Sequence, residues 1–293
     1  MPLDLVANVV IAGLLAGLLT GLVYGLMALG LSVIFGVVRV VNFAHGEMMT
    51  IAMYATVVLF AAWRLDPFWA LLPVAAAFFA GGYALQSSLI NPFITRPEHS
   101  QFILLIAVAI IMVNGLLMVF GPEARSVQVD YQLESIALGK ILVDKARLYA
   151  ALAAIAASAG LFAFFRFTPT GTAIRACADN HLGALVVGLH VRRLYALTFG
   201  LGSACVAVAG VMMILLVEVN PALGPAYTLL AFVIVIVGGL GSMGGALLGG
   251  ILIGTSEALA GLFVTPSAKS MFSFGLMILV LLFRPQGLLG RRQ

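Results

Sequence analysis

The sequence predicts an all-α membrane protein, a polytopic bundle of about eight or nine transmembrane helices. Hydrophobic residues make up 63% of the 293 residues and charged residues only 9%, whereas soluble chains carry about 25% charged residues. Apolar runs also recur along the whole chain, and a bilayer span requires about 20 mostly apolar residues. These observations exclude a soluble fold, and we interpret residues 1–293 as a single transmembrane domain.

Nine apolar segments are the predicted spans. The first is long and carries glycines at intervals of four residues, a pattern that lets helices pack closely in lipid. The seventh is short, and it is interpreted either as a span or as a half-helix that lines a cavity. The predicted spans are residues 9–37, 46–62, 68–90, 102–120, 148–165, 194–216, 227–239, 246–263 and 271–283.

The arginines indicate the orientation, because cytoplasmic loops of membrane proteins carry an excess of Lys and Arg. They concentrate in the loop 166–193 and in the tail after the ninth span, so both are expected in the cytoplasm. Counting spans backward places the N-terminus and the polar segment 121–147 outside. The arginines expected inside are Arg39, Arg96, Arg166, Arg175, Arg192, Arg193, Arg284, Arg291 and Arg292.

Several kinds of chemistry have no support in the sequence. The chain has no Walker A motif, so it is not expected to bind ATP by that route. No His and Cys residues have metal-ligand spacing, so no metal or cofactor is expected. The net charge of +4 lies at helix ends and does not indicate nucleic acid. An integral membrane enzyme stays open as an alternative, because all four histidines lie near the predicted cytoplasmic side. They are His45, His99, His181 and His190.

The loop 166–193 is the most informative part of the chain, because it is too long for a simple turn. A Pro-Thr-Gly turn is followed by an amphipathic helical pattern. Ala184 and Gly188, four residues apart, predict a flat helical face that lies in a groove of a soluble partner. Arg175 and Asp179 have the i, i+4 spacing of a helical ion pair. The alternative is an interfacial helix without a partner.

A second polar segment, N-F-A-H-G-E, lies at the predicted cytoplasmic start of the second span. Asn42 is interpreted as the N-cap of this helix. Glu47 in the first turn suits the helix dipole. We expect this corner, which includes His45, to shape a cytoplasmic gate or to pack on a cytoplasmic partner. The alternative is an ordinary polar helix start.

Three further polar residues are candidates for the translocation path. Glu257 lies well inside the eighth span, and an ionisable residue in a membrane indicates a functional site by default. Its alternative role is to accept structural hydrogen bonds from neighbouring helices. Asn114 in the fourth span has the same two interpretations. Glu218, near the outer end of the sixth span, either guards an external entrance or is simply solvated. The glycine-rich segment 238–250 predicts close packing near the path.

Taken together, five segments resemble the permease subunits of ABC importers for branched-chain amino acids, the LivH type. They occur in the family's order over nearly the whole chain, and N-F-A-H-G and the central loop are the most specific of them. The segments are residues 21–31, 41–46, 168–188, 238–245 and 284–290.

The resemblance implies a multi-pass subunit of a bacterial inner membrane, with a cytoplasmic C-terminus and no enzymatic activity of its own. Its implied partners are a second permease or a copy of itself, two cytoplasmic ATPases, a periplasmic substrate-binding protein and membrane lipids. The central loop would couple the bundle to the ATPases. Gly183 stands where the family's E-A-A-x-x-x-G motif has Ala. The implied coupling residues are Thr168, Pro169, Gly171, Arg175, Asp179, Ala184 and Gly188.

The expected function is import of branched-chain or other hydrophobic amino acids along a path lined by the first, second, sixth and eighth spans. Importers of urea, short amides or aromatic acids are alternatives within the same family. An ion-coupled secondary transporter is an alternative of another class, but it should carry several intramembrane acids. The candidate path residues are Asn42, His45, Glu47, Asn114, Glu218 and Glu257.

Overall fold

A computed structural model describes residues 3–94, 96–139, 141–264 and 269–290. Helices account for about four-fifths of this structure. Arg291 and Arg292 lie outside the described residues. The α-helices are α1 (Leu3–Val38), α2 (His45–Trp63), α3 (Pro67–Leu85), α4 (Glu98–Phe120), α5 (Lys145–Phe167), α6 (Pro169–Asp179), α7 (His181–Val186), α8 (Val191–Met213), α9 (Leu223–Gly238), α10 (Met243–Phe263) and α11 (Lys269–Phe283). α3 continues as a π-helical turn, Gln86–Ile90, and a 3-10 turn, Asn91–Phe93.

Nine of these helices are apolar and correspond to the nine predicted spans. Within the described ranges, seven are long and apolar enough to cross a membrane, and α9 and α11 are shorter. The predicted bundle is therefore confirmed. α9 runs unbroken for 16 residues, which is about 24 Å at 1.5 Å per residue. Buried residues recur along its whole length, and a short helix is tolerated where it is enclosed by protein.

α8 lies at the centre of the bundle. In the most apolar 18-residue stretch of α8, 78% of the residues are buried. This is a larger share than in any other spanning helix of the described chain. Phe199 and Val206 on this helix have no exposed surface. α1, α2, α3 and α5 surround it, so α8 contacts four of the other eight apolar helices.

Glycines bring α1 and α10 into antiparallel backbone contact. A Cβ atom on Gly21 would lie 2.7 Å from the Gly250 carbonyl oxygen, and one on Gly17 would lie 2.7 Å from Ala258 Cβ. Further along, a Cβ on Gly25 would lie 3.1 Å from Leu247 Cα. Helices in lipid associate by such close packing because the lipid tails are as apolar as the side chains. The close packing predicted from the glycine intervals of the first span is confirmed.

The same kind of contact attaches α8 to its neighbours. A Cβ on Gly30 of α1 would lie 2.6 Å from the Gly202 carbonyl oxygen of α8. A Cβ on Gly200 would lie 2.8 Å from the Phe79 carbonyl oxygen of α3. A Cβ on Gly210 would lie 2.6 Å from the Met49 carbonyl oxygen of α2. Any larger residue at these positions would push the central helix away from three of its neighbours.

At the end of the bundle that carries α6 and α7, the C-terminal tail binds the turn between α9 and α10. The Leu288 amide donates to the Val237 carbonyl, and the Leu289 amide donates to the Gly238 carbonyl, both at 2.9 Å. Gly287 (φ +78°) and Gly239 (φ +107°) lie against each other in backbone conformations that other residues rarely adopt. The close packing predicted for the glycine-rich segment is confirmed here.

The opposite end is covered by the segment between α4 and α5. It holds a 3-10 turn, Asp130–Gln132, and an antiparallel hairpin of β1 (Ser135–Leu138) and β2 (Ile141–Asp144), in which Ser135 pairs with Asp144. The backbones of Arg125 and Val219 exchange two hydrogen bonds of 2.8 Å, which ties the segment to the residues after α8.

One tyrosine ties this cover to the start of α3. The Tyr131 hydroxyl donates to Asp66 Oδ1 at 3.2 Å. Burial and the neighbouring Asp66 carboxylate raise the pKa of Tyr131, so the hydroxyl keeps its proton and remains a donor.

Valine at Gly21 is expected to destabilise the bundle, because the added side chain would overlap the α10 backbone. Overpacking of this kind costs about 1–3 kcal/mol. Gly81→Val on α3 is the matched control, since a Cβ there would meet no atom within 4 Å. Thermal unfolding in detergent checks this, and equal melting temperatures for the two variants would contradict it.

Candidate functional site

The predicted coupling loop folds into two short helices, α6 and α7. Thr168 caps α6, since its Oγ1 accepts from the Gly171 amide at 3.0 Å and donates to the Phe164 carbonyl at 2.7 Å. Pro169 occupies the first helical position, where its missing N–H costs nothing. The sequence therefore ends α5 and starts α6 within two residues.

Gly171 presses α6 against the end of α5. A Cβ there would overlap the Phe164 carbonyl oxygen and lie 2.7 Å from Phe165 Cα. On the same face of α6, Ile174 and Cys177 are buried. Cys177 is a free thiol, and burial raises its pKa, while a hydrogen bond with Tyr195 of α8 lowers it. α6 is thus fixed to two membrane helices.

α7 ends in a left-handed glycine. The Gly188 amide donates to the Leu185 carbonyl at 3.0 Å, and the Leu189 amide donates to the Ala184 carbonyl at 2.9 Å. With Gly188 at φ +82°, this is a Schellman motif. The predicted flat face of Ala184 and Gly188 is therefore wrong, because Ala184 is buried and Gly188 lies beyond the helix.

The exposed surface of this region is a different set of residues, which we call the α7 patch. It consists of four apolar side chains that no described part of the chain covers, with Val186 87% exposed. Exposed apolar surface of this kind marks a contact either with another protein or with the membrane surface. The α7 patch comprises Leu182, Leu185, Val186 and Val187.

A cavity of about 1170 Å³ lies at the same end of the bundle, beside α6. It is enclosed by the end of α1, the start of α4, α6 and the turn between α9 and α10. Arg175 and Asp179 both line it, and Arg175 Nη2 donates to Thr172 Oγ1 at 3.4 Å. The ion pair predicted between Arg175 and Asp179 stays a prediction. Other polar residues of the lining are Ser32, Arg39, His99, Gln101 and Ser242.

The N-cap predicted at Asn42 is wrong by two residues. α2 begins after Ala44, whose side chain makes no capping bond. Asn42 is fully buried, and its Oδ1 accepts from the Ala44 amide at 3.1 Å. The Asn side chain therefore forms a turn before the helix, as Asn commonly does.

The rest of this corner joins α2 to α1 and α9. His45 Nε2 lies 2.9 Å from the Met27 carbonyl oxygen of α1. Thr228 of α9 accepts from the Gly46 amide and donates to Glu47 Oε2, both at 2.8 Å. Sequence reasoning missed Thr228, because a single Thr in an apolar span carries no motif. The corner is buried, so its three predicted residues are not exposed for a partner. His45 and Glu47 join α2 to its neighbours, whereas Asn42 bonds only within the corner.

The remaining three candidates lie far apart in the fold. Glu257 of α10 accepts from Ser273 of α11 at 2.8 Å, which is the structural role left open above. Asn114 is exposed on the outer face of α4, and Glu218 is exposed after α8, at the end opposite α6. The structure does not gather the six path candidates into one site. Among the described residues, no group of three His, Cys, Asp or Glu is arranged to hold a metal ion.

The match to known proteins is extensive. The family model described as "Branched-chain amino acid transport system / permease component" matches residues 13–281. The chain belongs to this family. The permease is 32% identical over 287 residues to the "High-affinity branched-chain amino acid transport system permease protein LivH" of Salmonella typhimurium, covering 91% of each chain. The LivH of Escherichia coli (strain K12) gives the same figures.

More distant matches have the same extent. The permease is 30% identical over 279 residues to the protein BraD of Pseudomonas aeruginosa, with 91% of each chain covered. A solved structure, "PsaBC from Streptococcus pneumoniae in complex with Fab", aligns over 92% of the permease and 91% of that chain. Its sequence identity is 14% and its TM-score 0.49, a likeness too distant to bear on function.

Valine in place of Thr228 is expected to destabilise the corner at the start of α2. The change keeps the shape of the side chain, but it leaves the Glu47 carboxylate and the Gly46 amide without their partner. A buried group left unpaired costs about 1–3 kcal/mol. Thr56→Val is the matched control, since the buried Thr56 hydroxyl donates only within α2 to Ala52. Equal thermal stability of the two variants would show that the link contributes nothing.

Proposed function

We propose that this permease is the membrane-spanning subunit of an ATP-driven importer of branched-chain amino acids, driven through α6 and α7. The observation that carries the proposal is the construction of this segment. One side of it is fixed to the membrane helices, and the other presents the α7 patch. A segment of this kind transmits movement from a bound partner to the bundle.

The fixed side explains how the movement reaches the spans. Gly171 brings α6 onto the last turn of α5, and the buried Ile174, Cys177 and Ala184 face the bundle. Because close-packed helices move as rigid bodies with little compression, a displacement of α7 shifts the ends of α5 and α8 together. Thr168 and its hydrogen bonds keep the junction from unwinding.

The exposed side of this segment indicates which kind of partner binds there. The α7 patch is apolar, and the segment 166–193 that contains it also carries four arginines. Short helices commonly dock into grooves of soluble proteins through apolar faces. The excess of arginine at this end supports a cytoplasmic location for it and for the C-terminus. Two cytoplasmic ATPases are the proposed partners here. A second permease completes the bundle, and a periplasmic binding protein delivers substrate at the other end.

The permease itself is proposed to catalyse no reaction, since ATP hydrolysis belongs to its partners. The relatives named above are described as branched-chain amino acid permeases, which supports a small amino acid with an apolar side chain as substrate. The cavity beside α6 is the proposed exit, because it lies at the end where the ATPases bind. Glu47 and Glu257 are assigned to helix contacts and not to substrate binding.

Aspartate at Val186 is expected to release the ATPases, because a charge on the α7 patch would be desolvated by docking. In membranes that contain all subunits, the tagged variant should pull down about tenfold less ATPase than the unchanged permease. ATP-dependent leucine uptake should fall by the same factor. Burying an unpaired charge costs several kcal/mol, and about 1.4 kcal/mol already corresponds to tenfold.

Leu133→Asp is the matched control, since Leu133 is 94% exposed at the opposite end of the bundle. It should retain the ATPases and the uptake. Normal ATPase binding by the Val186 variant would contradict the proposed docking surface. Uptake that persists after ATP depletion with an intact ion gradient would favour a secondary transporter, and uptake of urea or amides in place of leucine would correct the substrate.

A further inference from the structure

We propose that the exposed face of α4 is the surface on which the second permease subunit packs, with Asn114 hydrogen-bonded across the interface. This inference rests on the proposed function, which supplies a second permease.

α4 is the least enclosed of the seven described helices that are long enough to cross a membrane. Only 11% of the residues in its most apolar window are buried, compared with 33% in α5 and α10 and 78% in α8. It packs mainly against α2. More of its surface is therefore available to another helix than in the other six.

The exposed residues of α4 form one continuous stripe. Ile103, Ala107, Ile111, Asn114 and Met118 are all exposed and follow one another at intervals of three or four residues, which places them on one face of a helix. Ile111 is 70% and Met118 is 87% exposed. The stripe runs nearly the full length of the helix, as a helix–helix interface requires.

Asn114 indicates that this stripe does not face lipid. It is the only polar residue between Phe102 and Phe120. Its Nδ2 donates to the Ile110 carbonyl at 2.8 Å within the same helix, and no described residue binds its Oδ1. Hydrocarbon offers no hydrogen-bond donor, so a lipid-facing amide would stay unpaired. A neighbouring helix satisfies it, and a single Asn in an apolar stripe also fixes the register of such a pair.

The corner between α2 and α3 has the character expected of a lipid contact. Trp63 and Trp69, at the two helix ends, are 75% and 74% exposed, and tryptophan is typical of the membrane–water interface. Leu72, in the next turn of α3, is 78% exposed. This face carries tryptophans at its rim and an apolar side chain below them, so it provides a reference for a lipid-facing position.

The cavity at the α6 end continues from the α4 stripe. His99, Gln101 and Phe102, in the first turns of α4, line that cavity. A second permease seated on the stripe would therefore border the cavity as well.

Photo-crosslinking tests the interface in the complete transporter. Benzoylphenylalanine is placed at Ile111 or at Met118, and at Leu72 as the lipid-facing control, in membranes that contain all subunits. Irradiation should join the first two positions to a second permease chain in at least fivefold higher yield than Leu72. The adduct is identified by mass spectrometry. Crosslinks only to lipid, or to any protein other than a permease, would overturn the proposal.

Asn114→Leu is the complementary variant. Its fold should be retained, because the amide bonds only within α4, and association of the two permeases should weaken about threefold, the typical effect of one interhelical hydrogen bond in a membrane. A complex that contains ATPases but gives only lipid crosslinks at Ile111 would contradict this interface and leave the proposed function intact. A permease that purifies without ATPases would contradict the proposed function as well.

Discussion

Backbone contact at glycines is the constraint on which this bundle depends. Helices in lipid gain little from burying apolar side chains, so they associate where small residues let their surfaces approach. Gly17, Gly21 and Gly25 join α1 to α10, and Gly202 and Gly210 join the central α8 to α1 and α2. These contacts leave no room for adjustment at a single position. A movement imposed on one helix is consequently carried by several of them.

The same device fixes the coupling segment. Gly171 places α6 on the end of α5 as closely as Gly21 places α1 on α10. α7 follows after a single capping residue, Asn180, whose side chain accepts from the Gly183 amide at 2.9 Å. The segment of α6 and α7 is therefore fixed to the bundle and is not a loose loop. A different interaction, the hydrogen bond from Thr228 to Glu47, holds α2 and α9 together.

Much of this arrangement could be predicted from the sequence, because lipid imposes it locally. A run of apolar residues must be a helix in a membrane, so all nine spans were predictable within a few residues. The glycine intervals of the first span likewise predicted its close contacts. The face of α7 was not predictable, because A-x-x-x-G does not reveal whether its glycine continues the helix or ends it in the left-handed conformation.

Long-range partners were equally hidden from the sequence. Thr228 lies 182 residues from Gly46, and nothing in its own span distinguishes it. The exposed position of Asn114 depends on how α4 packs against α2, which no local pattern encodes. The N-cap predicted at Asn42 was wrong for a related reason. An Asn near a helix start either caps the helix or forms a turn before it, and the same sequence is compatible with both.

The central claim is that the bundle is driven from the cytoplasm through α7. The most direct measurement is the sidedness of Val187→Cys in a chain whose Cys177 and Cys205 are replaced by alanine, with Leu133→Cys as the opposite reference. A membrane-impermeant maleimide should label the Val187 variant only in inside-out vesicles and the Leu133 variant only in intact spheroplasts. Labelling of the Val187 variant in intact spheroplasts would contradict the account.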